Sequence, residues 1–85
     1  MGTVKLRFFA NFKEIIGQKE MALSIENHTS LQEILLSLER RLPAMKIVTQ
    51  NNACRIAVNQ QIVSADSLTI SDGDEIAFLP PFSGG

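Results

Sequence analysis

Ser30-Leu31-Gln32-Glu33-Ile34-Leu35-Leu36-Ser37-Leu38-Glu39-Arg40-Arg41-Leu42-Pro43 is the segment on which the fold turns. Leu31, Ile34, Leu35, Leu38 and Leu42 recur at helical spacing. Gln32, Glu33, Ser37, Glu39, Arg40 and Arg41 occupy the other side, so one stripe of the helix is buried and the opposite one is wet. Ser30 with Glu33 three residues on is a capping box: the hydroxyl accepts from the Glu33 amide and the Glu33 carboxylate reaches back. Pro43 ends the helix near Leu42, since the residue before a proline is driven out of helical geometry.

The sequence on either side alternates with a period of two instead. Before the helix, Val4, Leu6 and Phe8 alternate with Lys5 and Arg7, so these three point inward and Phe9 falls on the outer face. Asn11 with Glu14, apolar Phe12, Ile15 and Ile16, and Gly17 as a stop predict a short helix of about two turns. Met21, Leu23 and Ile25 then alternate with Ala22, Ser24 and Glu26, a second strand able to pair antiparallel with the first. After the helix, Thr49-Gln50-Asn51-Asn52 reads as a loop. Cys54, Ile56 and Val58 alternate with Arg55, Ala57 and Asn59, a strand that turns at Asn59-Gln60-Gln61 and returns through Ile62 and Val63. Ser71-Asp72-Gly73-Asp74 is a turn, and Glu75 to Leu79 is the last strand before Pro80-Pro81 forbids further pairing.

Strand, strand, helix, strand, strand, with one amphipathic helix, is an α+β order. A helix laid across one face of a mixed sheet buries all these apolar stripes together, which is the β-grasp, or ubiquitin-like, arrangement. Residues 1–79 form that domain and residues 80–85 a C-terminal tail, anchored through a last strand placed inside the sheet.

Composition sets the bounds. At 85 residues and 45% hydrophobic, the chain makes one small domain able to bury about 60% of its unfolded surface. Eight basic against nine acidic residues, with no basic run, disfavour nucleic-acid binding. No apolar stretch approaches the ~20 residues of a bilayer span, so no membrane partner is expected and the expected location is cytoplasmic. The single cysteine, Cys54, has no partner for an internal disulfide. Its parity with Ile56 and Val58 makes it a small buried hydrophobe rather than a nucleophile.

No internal catalytic group stands out. His28, the only histidine, reads as a solvated loop residue before the helix cap, with no metal-ligand spacing around it. Ser83 lacks a base and reads as a polar spacer. The working part is instead the terminus. Gly84 and Gly85 have no Cβ, so they pass through a channel too narrow for other residues and bring the terminal carboxylate to another protein's catalytic groups. Pro80-Pro81 stiffens the approach, and six residues extended project roughly 20 Å. At the tail's base Phe9, Ala77 and Leu79 face outward and Phe82 lies just beyond, an apolar docking surface with Lys13 beside it.

Phe8-Phe9-Ala10, Lys13-Glu14, Gly17, Ala57-Val58-Asn59-Gln60, Asp72-Gly73-Asp74-Glu75-Ile76-Ala77-Phe78-Leu79-Pro80-Pro81 and the closing Gly84-Gly85 together resemble the MoaD family, the small, sulfur-carrying subunits of molybdopterin synthase. The resemblance spans nearly the whole chain and is most specific from Asp72 onward. It implies a carrier with no turnover of its own and no bound cofactor. A ubiquitin-activating-like adenylyltransferase (MoeB type) uses ATP to adenylate the Gly85 carboxylate, which then becomes a thiocarboxylate. The tail docks in the large subunit of molybdopterin synthase (MoaE type) and donates sulfur to a pterin precursor. Carried onto this chain, the resemblance makes Gly85 the modified residue and Gly84 its slender neighbour. Phe9, Lys13, Leu79, Pro81 and Phe82 are the docking residues. Lys13 stands where arginine is common in the family, which keeps the charge and loses a forked contact.

Three other readings remain open: a carrier for thiamin-type thiazole synthesis or tRNA thiolation, a modifier joined to lysines, and a ubiquitin-like interaction domain whose tail is never activated. The Phe-Phe-Ala start and the Phe-Leu-Pro-Pro run favour the molybdopterin type.

Overall fold

The computed structural model describes residues 2–50, 54–63 and 68–80. Strand β1 (Gly2–Phe8) is followed by helix α1 (Ala10–Ile16), β2 (Glu20–Ile25), β3 (His28–Ser30), α2 (Leu31–Arg41), α3 (Met45–Thr49), β4 (Arg55–Val58), β5 (Gln61–Val63), β6 (Thr69–Ser71) and β7 (Glu75–Leu79). Five strands form one sheet in the order β2-β1-β7-β4-β5, and β3 pairs with β6 in a small second sheet. The β1–β7 ladder is parallel and the other pairs are antiparallel. This is the mixed β-grasp sheet that the sequence predicts, with β7 at its centre.

Alternation along the strands sorts the side chains into two faces. Val4, Leu6 and Phe8 of β1, Leu23 and Ile25 of β2, Val58 of β4 and Ile76 and Phe78 of β7 form one core with Phe12, Leu31, Ile34, Leu38, Met45 and Val48 from the helices. All three helices among the described residues therefore cover the same face. Phe8 and Phe78, opposite each other in the parallel ladder, stack with ring centroids 5.2 Å apart. Each buried aromatic of this kind contributes roughly 2–3 kcal/mol by burial alone.

Four local expectations need correction. Asn11 does not cap α1: Phe9 holds the extended capping position with no side-chain bond, and Asn11 lies inside the helix. The cause is Ala10, whose φ of +52° lets the chain turn sharply off β1 one residue earlier. Gly17 does stop the helix, in a left-handed conformation at φ +89°. Only half of the capping box closes. Ser30 Oγ accepts from the Glu33 amide at 3.1 Å, but the Glu33 carboxylate accepts from the Thr29 hydroxyl at 3.0 Å instead of reaching back to the backbone.

His28 is exposed, yet it opens β3 and pairs with Ser71, so it is not in a loop. The β3–β6 pair exists because Thr29 lies opposite fully buried Ile70, and the Leu31 amide donates to the Leu68 carbonyl at 2.8 Å. Thr49 is likewise helical. One turn after Pro43, Met45 and Val48 reach the core as an i, i+3 pair, and the Thr49 hydroxyl donates to the Glu39 carboxylate of α2. Five residues give too few periodic positions to betray such a helix in sequence. Asn51 and Asn52, the rest of that expected loop, lie outside the described residues.

Candidate functional site

The face of the sheet opposite the helices carries the other parity, and one row of it crosses all five strands. Glu20 lies opposite Arg7, Arg7 beside Ala77, Ala77 opposite Ala57, and Ala57 opposite Ile62. Ala57 and Ala77 are buried although none of the described helices covers them. Their short side chains leave the middle of the face flat, while Ile62 at its edge is 56% exposed. Leu79, as its parity predicts, is on this face and half-buried. It is opposite Arg55 at the end of β7 from which the tail departs. Pro80 is buried, so the domain's packing reaches it.

Phe9 continues this face past the end of β1. Its amide donates to the Phe78 carbonyl at 3.3 Å and its carbonyl accepts from the Phe12 amide at 3.1 Å, so the backbone is pinned where strand gives way to helix. The ring is half-exposed. It lines a shallow recess of about 190 Å³ with Arg7, Lys13, Lys19 and Glu20, so the structure brings Phe9 and Lys13 together as the sequence suggests. Arg7 is the residue that sequence reasoning missed. Its guanidinium lies over the Phe9 ring, 5.2 Å from the centroid, and between Glu20 (Nε to Oε2, 3.8 Å) and Glu75 (Nη1 to Oε2, 3.5 Å). The available signal was parity: Phe9, one residue past β1, continues the outward side on which Arg7 lies two positions earlier.

Pro81, Phe82, Ser83, Gly84 and Gly85 lie outside the described residues. Cys54 is half-buried and packs against the core. Burial pushes its thiol up from the usual range, the opposite of what a nucleophile needs. A larger groove of about 480 Å³ runs between α2 and β2, lined among others by Leu36, His28 and Arg40. It flanks the Leu23–Ile25 end of β2, which pairs with Gly2–Val4, and so lies at the far end of β1 from Phe8 and the departing tail. The face thus combines a flat apolar strip with one aromatic and several cations at its corner, at the end of β7 that precedes the tail.

The profile described as the ThiS family matches residues 6–85, from the first strand to the last glycine. The chain belongs to the ThiS family. Within it, the chain is 31% identical to the molybdopterin synthase sulfur carrier subunit of Chlamydomonas reinhardtii over 83 residues, covering 96% of this chain and 98% of that protein. Among solved structures, the small archaeal modifier protein 1 of Methanosarcina acetivorans superposes with a TM-score of 0.77 at 30% identity, covering 100% of this chain and 98% of that one. The complex of subunits 1 and 2 of the molybdopterin-converting factor of Helicobacter pylori gives a TM-score of 0.69 at 24% identity, covering 98% of this chain and 99% of that one. The ThiS-family fold of this chain is thus shared by sulfur carriers and by modifiers. Among its described residues no helix is long and apolar enough to cross a membrane.

Proposed function

We propose that this ThiS-family chain is the sulfur carrier subunit of a molybdopterin synthase and that the Gly85 carboxylate carries the sulfur. The observation that bears most of the weight is the near full-length match to a molybdopterin synthase sulfur carrier subunit, within a family match that runs through Gly85. Geometry supports it: the tail follows the central strand β7, whose outward face none of the described helices covers and at whose corner Phe9 lies. The Helicobacter complex, in which a protein of this fold is bound to its second subunit, supports a large synthase subunit as the docking partner here.

The chemistry follows from the carboxylate. With a pKa near ~3.5 it is ionised at neutral pH and a poor electrophile. An activating enzyme of the adenylyltransferase type supplies the missing leaving group: a carboxylate oxygen attacks the α-phosphorus of ATP and pyrophosphate departs. A sulfur nucleophile then displaces AMP to give the thiocarboxylate. This chain provides the slender Gly84-Gly85 end and the docking face, and ATP is held by the partner.

The test is intact mass. The chain, its activating enzyme, ATP and inorganic sulfide should give a product heavier by one oxygen-to-sulfur exchange, with fragmentation placing the change on Gly85. Modification on Cys54 or a lysine would refute the carrier reading. The likeness to an archaeal modifier favours a second reading, in which the same adenylate is passed to lysines. Isopeptide-linked conjugates in place of a free thiocarboxylate would select it.

A further inference from the structure

We infer that Arg7 is a positioning residue that holds the Phe9 ring in its docking orientation, an inference that rests on the docking role proposed for Phe9. The guanidinium is tethered at two different nitrogens to carboxylates on two different strands, Nε to Glu20 of β2 and Nη1 to Glu75 of β7. Two anchors fix the plane of a rigid fork where one would leave it free to turn. Its central carbon, Cζ, lies over the Phe9 ring, 5.2 Å from the centroid. With the Arg7 side chain 38% exposed and Glu20 43% exposed, ion pairs of this kind add little to stability. What the arrangement does supply is orientation. Phe9 sits past the last ladder residue of β1, with its backbone pinned and its ring half-exposed, so nothing in the core sets the ring's angle. Arg7 sets it, and thereby lowers the ordering cost of docking an aromatic anchor.

The experiment is a double-mutant cycle with the full chain and the purified large synthase subunit of the same organism, read by calorimetry. Arg7→Gln should weaken binding about 5-fold, in the range of a partly exposed cation–π contact. In a Phe9→Ala background the same change should weaken it less than about 2-fold, because the ring through which Arg7 acts is gone. Arg7→Lys should restore less than half of the loss, since an ammonium keeps the charge without the fork that reaches both carboxylates.

A second readout needs no partner. Arg7 side-chain protons should be shifted upfield by the ring current in the free protein, and Phe9→Leu should remove the shift. Equal losses from Arg7→Gln in both backgrounds would mean that Arg7 touches the partner directly, and would overturn the inference while leaving the carrier reading standing. An unshifted Arg7 would overturn it as well. Failure of the unsubstituted chain to bind the large subunit would instead strike the carrier reading, and this inference with it.

Discussion

Asn59 and Asp74 clasp two turns, that of the β4–β5 hairpin and the one between β6 and β7, with Asn59 Nδ2 donating to Asp74 Oδ1 at 3.0 Å. Each also secures its neighbour's backbone. Asn59 Oδ1 accepts from the Glu75 amide at 3.0 Å, and Asp74 Oδ2 accepts from the Ser71 amide at 2.8 Å. Asn59 and Gln60 both have positive φ, 51° and 72°, the pair of conformations that a two-residue turn between twisted strands requires. The start of β7 and the β4–β5 turn are thus one unit, and the central strand that carries the tail is held at its far end by side chains.

Asn59→Ala should therefore cost about 2–3 kcal/mol, from the two lost side-chain bonds and a left-handed conformation that alanine disfavours. Asn59→Gly keeps the conformation and loses only the bonds, so it should cost roughly 1 kcal/mol less than Asn59→Ala. Gln60→Gly should stabilise by about 0.5–1 kcal/mol, since only the backbone preference changes. Urea unfolding of the three variants checks the order. If Asn59→Ala and Asn59→Gly prove equal, the conformational part of the argument is wrong.

Leu38 and Leu36 test the single-sided packing of α2. Leu38 is 1% exposed in the core and Leu36 is 50% exposed. Leu38→Ala should cost about 2–5 kcal/mol through lost burial and a cavity, whereas Leu36→Ala should stay within about 0.5 kcal/mol. Thermal melts of both variants decide whether the helix buries the stripe described.

Cys54 makes a prediction with a definite sign in pH. Its thiol is raised in the folded chain by burial, so above the ordinary thiol range the unfolded chain has released a proton that the folded chain still holds. The stabilisation is present in full below the unfolded pKa and is lost as pH rises through the folded one. Stability should therefore decline over that alkaline window and decline less in Cys54→Ala. At pH 8 the thiol should react with a disulfide reagent more slowly in the native chain than in urea. A native thiol that reacts faster would point to an activated cysteine and against the packing role.

Much of this fold is legible in the sequence because its strands alternate without interruption. Val4, Leu6, Phe8, Ile76 and Phe78 all point inward as their parity requires, and Leu31, Ile34 and Leu38 bury the stripe that their spacing marks. What escapes a linear reading is created by contacts between distant segments. His28–Ser30 is a strand only because Thr69–Ser71 lies against it, and three residues with exposed His28 carry no pattern of their own. The start of α1 is decided by a positive φ at Ala10, which no propensity foretells. At the site, Phe9 and Lys13 are legible from parity and resemblance. For Arg7 parity marks the outward side but not its partners, because Glu75 is 68 positions away in sequence.

Lys13 lines the recess beside Phe9 and stands where the family resemblance expects a forked donor. If the large subunit presents a carboxylate there, Lys13→Arg should tighten docking by a few-fold and Lys13→Glu should loosen it by about tenfold or more. The fold should be indifferent to both, since Lys13 is exposed. Calorimetric titration in low and high salt checks this, as the difference between Lys13→Arg and Lys13→Glu should shrink when salt screens it. Affinities that ignore both substitutions would remove Lys13 from the docking surface.

The final prediction separates an activated carrier from an interaction domain and depends on glycine's missing side chain. Gly84→Val places a branched Cβ where an activating enzyme's channel must close around the backbone, and valine excludes the positive φ that glycine can adopt. Gly84 follows two prolines, which have no N–H to give a ladder, so the cost to stability should stay within about 0.5 kcal/mol. Adenylation and sulfur transfer should nevertheless collapse. One residue appended after Gly85 should abolish them too, by converting the reacting carboxylate into a peptide bond. The decisive measurement is ATP-dependent thiocarboxylate yield from the unsubstituted chain, the Gly84→Val variant and the extended chain, with binding to the large subunit followed in parallel. Because the Phe9 face is untouched, the two altered chains should keep at least part of their affinity while losing all activation. Equal thiocarboxylate yields from the three would remove the glycine terminus as the functional site and leave the docking face as the only function this domain has.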